Sequence, residues 1–511
     1  MHRKNFTSDP ASAAAITAFG AGIAVHLFGL IVILHNYDNI AVPYGYGAGV
    51  TSGRWLLSLA GDFFTYLIGA HNVGWLNGVL GIGLLSAAVY FLIRLFRLKN
   101  RLRACLLGVL WVVFPAVVSC LIFKYTVAFY AAAVLLAVLA AWVLTELGPR
   151  RPVPAALLSA GLTACSLGIY QAYFPITVSA LVLYLLQQAM DREVSWQTLL
   201  KKGVYFLGCL VLGLIFYFAA LRLTLALYHT TLSTYQGVQD MGKLSLTALP
   251  SLAVRAVKRF LKMPFENGYA LAPMRLLKLL YPAVGLLSAC LVLRGLGKTP
   301  LPKLLLTAML CLCLPLAVNL VEVMCPDSFV YTLMEYGFVM VLFAPAVLLE
   351  AVPASGRLPG RLLGGLLALA VVCYSYLANV NYTAEYYNNR IVENLTQSMV
   401  TQVRMTEGFR ADQKWAVLGR CEDPLLNRTL WQNTALYEGV GNAQRLLDAY
   451  SWPYNWMTEY LGYQVETVDE AEKRALWQTR AVQDMPFWPD QGSIRIVDDV
   501  VVIRLSDHPK E

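Results

Sequence analysis

The segment HNYDNIAVPYGYGAGVTSGRW, His35 to Trp55, follows an almost uncharged apolar run and holds one acid, Asp38, and one base, Arg54. A carboxylate in a loop rich in Tyr37, Tyr44, Tyr46 and glycine can act as general base on a hydroxyl, provided the loop folds over a cavity. An Asx-type turn built by Asn36, Asp38 and Asn39 accounts for the same residues without chemistry. Further on, LAVRAVKRFLKM sets Arg255, Lys258, Arg259 and Lys262 on one helical stripe, with Leu252, Val254, Val257, Phe260 and Leu261 at the other positions. Such a stripe can hold a phosphate at a membrane surface through charge-assisted bonds, or anchor the helix to anionic head groups. Lys124 fits the same phosphate, or snorkels to the interface. SLGIYQAYFP offers Tyr170 and Gln171 as hydrogen-bond partners beside stacking rings, which suits a sugar; an interfacial aromatic belt has the same composition. Glu335 lies within an apolar run, where an ionisable group calls for a function and a partner, here Lys124 or the basic stripe.

The elements that must position these residues are membrane helices. Of 511 residues 58% are hydrophobic and 14% charged, a balance that places the chain among polytopic membrane proteins. Apolar runs near 12 to 34, 73 to 95, 104 to 122, 127 to 144, 154 to 168, 175 to 188, 203 to 221, 277 to 294, 304 to 321, 331 to 350 and 362 to 380 are each read as a crossing. The first run has no small-residue cleavage site and is read as retained. Basic clusters at Arg3/Lys4, Arg94 to Arg103, Arg150/Arg151, Arg192 to Lys202, Arg294 to Lys303 and Arg357/Arg361 then all fall on one side, the cytoplasmic one. The N-terminus is expected in the cytoplasm and the C-terminal domain outside it. Counting Ser52 to Ala70 as a twelfth span would invert this pattern. With Arg54, Ser58, Asp62 and Thr65 on one face, it reads instead as an amphipathic helix in the interface.

The division expected is a transmembrane domain over 1–380, with a first outer loop and interfacial helix at 35–72 and a long outer loop at 222–276, followed by an extracytoplasmic α/β domain over 381–511. In the latter, Thr383 to Phe409 reads as a helix, KWAVLG as a strand and Asn433 to Tyr450 as mostly helix. YQVETV reads as a strand, DEAEKRALWQ as a helix started by Asp469, and SIRIVDDVVVIRL as a hairpin turning at Asp498 and Asp499. Eight of the ten cysteines lie in or beside apolar runs and carry no metal-ligand spacing. Cys325 and Cys421 fall outside the cell in this scheme, as a disulfide or as two thiols. The net charge of +9 is scattered through short loops without the interleaved aromatics of a nucleic-acid surface, and no nucleic-acid partner is expected.

An acid in the first outer loop followed by SGRW, IYQAYFP at the outer end of a middle helix, and FWPDQGSIRIVDDVVVIRLS near the C-terminus together resemble the bacterial type II glucosyltransferase family. The best-known members of that family modify the O-antigen, and the family is similar to the wider C-type (GT-C) membrane glycosyltransferases. The resemblance implies a multi-pass protein of the bacterial cytoplasmic membrane with an outer active site and a polyprenyl-phosphate-linked sugar donor. It implies glucose as the hexose and a cell-surface or lipid-linked glycan as acceptor. Asp38 matches the first-loop acid that serves as catalytic base, Arg54 and Trp55 match GRW, and Tyr170 and Gln171 match a YQ pair with donor or acceptor contacts. No second acid adjoins Asp38, so neither a metal nor another cofactor is expected.

These lines combine in an inverting single displacement: Asp38 takes the acceptor proton, the oxygen attacks the anomeric carbon, and the lipid phosphate leaves against Arg or Lys. A transporter or flippase of lipid-linked sugars would share the bundle, the basic site and Glu335, but should show paired repeats with broken helices. A glycan polymerase or ligase would differ in the unit transferred.

Overall fold

The computed structural model describes residues 9–42, 44–70, 72–234, 247–263, 265, 274–297, 299–324, 329–352, 357–421, 437, 446–447 and 452–508. Cys325, most of the helix expected over Asn433 to Tyr450 and parts of the 222–276 loop lie outside them. Among the described residues eleven helices are long and apolar enough to cross a membrane. They are α1 (Pro10–Ile31), α4 (Gly74–Leu95), α5 with α6 (Arg101–Val113, Pro115–Ile122), α7 (Val127–Glu146), α8 (Pro152–Ile169), α9 (Phe174–Met190) with the turn before it, α10 (Trp196–Leu227), α12 (Arg275–Gly295), α13 (Leu301–Val318), α15 (Val339–Ala351) with the turn before it, and α16 (Arg357–Met405). Between them lie α2 (Tyr37–Ala41), α3 (Trp55–Ile68), α11 (Leu249–Lys262) and α14 (Val321–Met324). The fold is a polytopic helical membrane protein with a small C-terminal α/β region.

Local chemistry explains the breaks. Pro115 cannot donate a backbone hydrogen bond and restricts Phe114, which is extended at φ −60°, ψ 145°, so the third crossing is built from two helices. The segment read as interfacial forms α3, which is 14 residues long and too short to span.

Contacts divide the chain into two compact units. One comprises Met1–Ile31 and Gly45–Asn379, the other Val32–Tyr44 and Val380–Glu511. In the first, α1 packs on α4 and α5, α4 on α7, α7 on α8, and α8 on α10, while α9 lies against α7, α13 and α15. Small residues permit close approach: a Cβ on Gly108 of α5 would lie 2.7 Å from the Ala14 carbonyl oxygen of α1.

In the second unit the sheet order is β1-β3-β2, with β1 (Trp415–Leu418) parallel and β2 (Ile494–Val497) antiparallel to the central β3 (Val500–Arg504). The period-two alternation of β3 sorts its side chains. Val501 and Ile503 join one core with Val392, Met399 and Val403 of α16, whereas Val500 and Val502 join another with Leu476. Leu476 belongs to α17 (Glu470–Gln478), capped as expected by the Asp469 carboxylate, which accepts from the Glu472 N–H at 2.7 Å. Asp498 and Asp499 turn the hairpin at φ 49° and 64°, the left-handed values a two-residue type I′ turn requires.

Three expectations are corrected. The helix read at 383 to 409 is no separate element, because α16 runs unbroken for 49 residues out of the last crossing. YQVETV is not a strand; it makes a single bridge, Thr467 to Trp415, at the free edge of β1. The first-loop segment 32–44, assigned above to the transmembrane domain, packs in the second unit. The reason is specific: Asn389 of α16 accepts from the His35 N–H at 2.8 Å and donates to the His35 carbonyl at 2.9 Å. Tyr460 donates to the Asn39 carbonyl and Asn455 to that of Ile40, both at 2.8 Å, and Ile40 is buried in the core of the unit.

Removing this clamp tests the assignment. Asn389→Ala leaves two partly buried backbone groups of His35 without their amide, a loss of about 1–3 kcal/mol each for a fully unsatisfied group. Hydrogen exchange is expected to rise selectively in residues 32–44; unchanged protection there would contradict the clamp.

Candidate functional site

With eleven crossings, the connections after odd-numbered spans share one face of the first unit, and most of the candidate residues gather there. The loop Gly45 to Arg54 is tied down by Gln171. Its amide nitrogen donates to the Ser52 carbonyl at 3.0 Å and to the Tyr217 hydroxyl at 3.1 Å, and that hydroxyl donates to the Gly53 carbonyl at 2.9 Å. Gly53 itself is left-handed at φ 75°, a conformation that suits glycine. Trp55 opens α3 and packs closely on α8, where a Cβ on Gly168 would stand 2.5 Å from its ring.

Arg54 is thereby placed among tyrosines. Its guanidinium carbon lies 4.7 Å from the Tyr170 ring centroid and 5.9 Å from that of Tyr130, and Nη1 donates to the Tyr130 hydroxyl at 3.1 Å. Tyr130 and Tyr170 stack with centroids 4.4 Å apart, and Tyr173 meets Tyr170 edge-on. Among the described residues no carboxylate pairs with Arg54, and its buried Nε has no hydrogen-bond partner. A guanidinium in a low-dielectric wall with a donor left over favours an anion or a polar ligand.

The α3 helix is fixed midway by Asp62, which accepts from Tyr46 at 2.6 Å and from Tyr228. The Asp62 carboxylate, with burial, pushes the Tyr228 hydroxyl up to about 12, so it stays a neutral donor at physiological pH.

The basic stripe forms α11 as expected, and two buried acids meet it. Arg259 pairs through Nη1 with Glu322 and through Nη2 with Glu335 at 3.1 Å. Arg255 Nε lies 3.3 Å from Glu322, and Arg255 Nη2 donates to the Glu322 carbonyl at 3.0 Å. Asn319 donates to the Ala256 carbonyl at 3.2 Å, a further tie to the same helix. The side chains of Glu322 and Glu335 are 8% and 4% exposed, so removing either partner would strand a buried charge. Lys258 and Lys262 are exposed on the same helix.

The partner of Glu335 is therefore the stripe and not Lys124. Lys124 Nζ instead donates to the Gly29 carbonyl at 3.1 Å, in the last turn of α1, where a cation complements the carbonyl ends. Glu335 also lies at the start of the tenth crossing rather than inside its helix, in the 3-10 turn Thr332–Phe338 with non-helical φ −89°, ψ 17°. An aromatic contact links the two clusters, since Tyr336 meets Tyr173 at 6.2 Å.

An apolar cavity of about 390 Å³ runs between α9, α10 and α13. Its lining extends from Leu199 and Leu200 at the start of α10 to Ala317 and Leu320, two residues short of Glu322. Leu320 also packs in the cluster that includes Trp55 and Val50.

Asp38 is not in this unit. It lies half-buried in the first turn of α2, whose N-cap is Asn36, accepting from the Asn39 N–H at 2.8 Å. The Asx role thus falls to Asn36. Sequence reasoning missed Glu322, Tyr130 and Tyr217. It also missed Glu385, fully buried in α16 one turn before Asn389. Glu322 had a visible signal, an acid just past an apolar run, and so did Glu385, an acid on the face of α16 that also holds Asn381 and Asn388. Among the described residues no three His, Cys, Asp or Glu side chains gather as a metal site would require.

A family model described as Glucosyl transferase GtrII matches residues 27–342, a stretch that contains every candidate site residue named above except Glu385. No curated protein and no solved structure matches the chain.

The Arg259–Glu335 pair is testable by a double-mutant cycle. Arg259→Gln and Glu335→Gln are each expected to lower thermal stability, and the double variant to recover part of the loss, with a coupling of about 0.5–3 kcal/mol. Strict additivity would show that the pair does not act as a unit.

Proposed function

The chain belongs to the glucosyl transferase GtrII family and is a membrane glucosyltransferase, and from that premise we propose a polyprenyl-phosphate-linked donor, a cell-surface glycan acceptor and an inverting single displacement. The active face is the extracytoplasmic face of the bacterial cytoplasmic membrane, with the N-terminus in the cytoplasm. The architecture is of the GT-C kind. One observation carries the donor assignment: an apolar cavity lies between α9, α10 and α13, and its lining reaches Leu320, two residues from the Glu322 that pairs with Arg255 and Arg259. A lipid tail fits the cavity and a phosphate the cations.

In this scheme the polyprenyl chain lies between α9, α10 and α13, and its phosphate meets the α11 cations. The four cations of α11 outnumber the two carboxylates that meet them, so the stripe keeps a net positive charge, with Lys258 exposed on it, and Lys124 holds α1. Arg54, lacking a carboxylate, stabilises the phosphate oxygen that develops charge as the C1–O bond breaks. Tyr170 presents a ring to the sugar; Gln171 positions the SGRW loop and Trp55 seats α3. Asp38 accepts the proton of the acceptor hydroxyl as its oxygen bonds to the anomeric carbon, and releases it to solvent afterwards. The short helix bearing Asp38 is held at both ends by side-chain to backbone bonds, a rigid mount for a base. No metal enters this scheme.

The test is consumption of polyprenyl-phosphate-glucose by purified protein, alongside UDP-glucose as the water-soluble rival donor. The lipid donor alone should be used, and Asp38→Asn should lower the rate by about 10²–10⁴, the usual worth of a general base, with the fold retained. Use of UDP-glucose would overturn the donor assignment, and full activity of Asp38→Asn would remove that residue from catalysis.

A further inference from the structure

The C-terminal region has a cleft of about 400 Å³, within the range of about 300–1,000 Å³ common for small-ligand sites. Its floor is the end of β1, Val417 to Gly419, and one wall is a face of α17. Along that helix Glu470, Lys473, Arg474, Trp477 and Gln478 recur at i, i+3, i+4, i+7 and i+8, one continuous face. Leu476 anchors the opposite face in the sheet's core, so the polar and aromatic side is turned to the cleft by the helix's own packing.

The opposing ring is Tyr454. Its hydroxyl accepts from the Val417 N–H at 2.8 Å, which fixes it at the free edge of β1. Lys473 lies 5.1 Å from the Tyr454 centroid and pairs with Glu470 at 2.6 Å. Trp477 is partly buried against the second core, a second ring on a rigid support. Arg474 and Gln478 are exposed and show no hydrogen bond or ion pair among the described residues, which leaves a guanidinium and an amide facing the same space.

We propose that this cleft binds a neutral saccharide, a segment of the acceptor glycan, with pyranose C–H faces on Trp477 and Tyr454 and hydroxyls on Glu470, Arg474 and Gln478. Flat rings with fixed geometry and mixed donors and acceptors are what a sugar needs. A phosphate would meet only the Arg474 guanidinium, since Glu470 neutralises Lys473, and would leave both rings unused. A lipid tail is disfavoured because charged groups line the wall. This assignment rests on the reading of the acceptor as a glycan, but its test does not require the donor.

The full-length protein in lipid nanodiscs, free of sugar detergents, would be titrated calorimetrically with gluco- and galacto-oligosaccharides of roughly three to six units. Saturable binding is expected for at least one series, weakened at least about tenfold by Trp477→Ala and clearly weakened by the surface substitution Arg474→Ala, a side chain that bears no core contact. Melting temperature checks that each variant is folded. Binding equal to wild type in both folded variants would overturn the site, as would failure of every saccharide to saturate. Saccharide binding that depends on Trp477 in a protein that consumes no polyprenyl-phosphate-glucose would keep this site and remove the donor reading. Donor use without saccharide binding would do the reverse.

Discussion

Arg259 bridges Glu322 and Glu335 in a setting where neither carboxylate reaches much water, and much of the first unit's candidate face is arranged around that fact. Desolvating two acids is costly unless cations meet them in good geometry. The cations come from α11, a helix with little hydrophobic anchorage: only Leu252 and Ala256 are fully buried within it. The ion pairs therefore locate α11 as much as they stabilise it. They hold it against the segments that follow α13 and precede α15, with Lys258 and Lys262 exposed on the same helix. A basic stripe held by buried acids is a prepositioned charge array rather than a loose surface anchor.

The same division between holding and acting recurs around α3. Gln171 and Tyr217 direct their polar atoms to the backbone of Ser52 and Gly53, and Asp62 accepts from two tyrosines. Those bonds order a glycine-rich loop that has few apolar contacts of its own. Arg54 differs. It rests on tyrosine faces, no acid among the described residues pairs with it, and its buried Nε keeps a donor unused. In the second unit the Asn389 clamp does for the His35–Ala41 segment what Gln171 does for the SGRW loop.

The crossings were legible because each needs an uninterrupted apolar run, and the hairpin because two aspartates between valine-rich strands admit few alternatives. The α3 segment was legible through charge bookkeeping on the loops, since a spanning helix there would have inverted the basic bias. The α11 stripe was legible from helical spacing; its partners were not. Glu322 and Glu335 stand 63 and 76 positions from Arg259, and pairing across such separations leaves no local pattern. For the same reason the attachment of 32–44 to residues beyond 380 leaves no mark in the sequence. YQVETV has the composition of a strand but forms a single bridge, through the Glu466 carbonyl and the Val468 N–H, to Trp415 at the sheet edge; propensity is a weak guide at sheet edges.

The central claim is that a lipid-linked glucose lies along the α9–α10–α13 cavity with its phosphate at the α11 cations. Photo-crosslinking addresses it most directly, using polyprenyl-phosphate-glucose with a diazirine in the lipid and peptide mapping of the adducts. The account predicts adducts on Val178 to Leu185, Leu199 to Leu210 and Leu306 to Leu320, displaced by excess unlabelled donor. Adducts confined to other helices, or insensitive to competing donor, would contradict it.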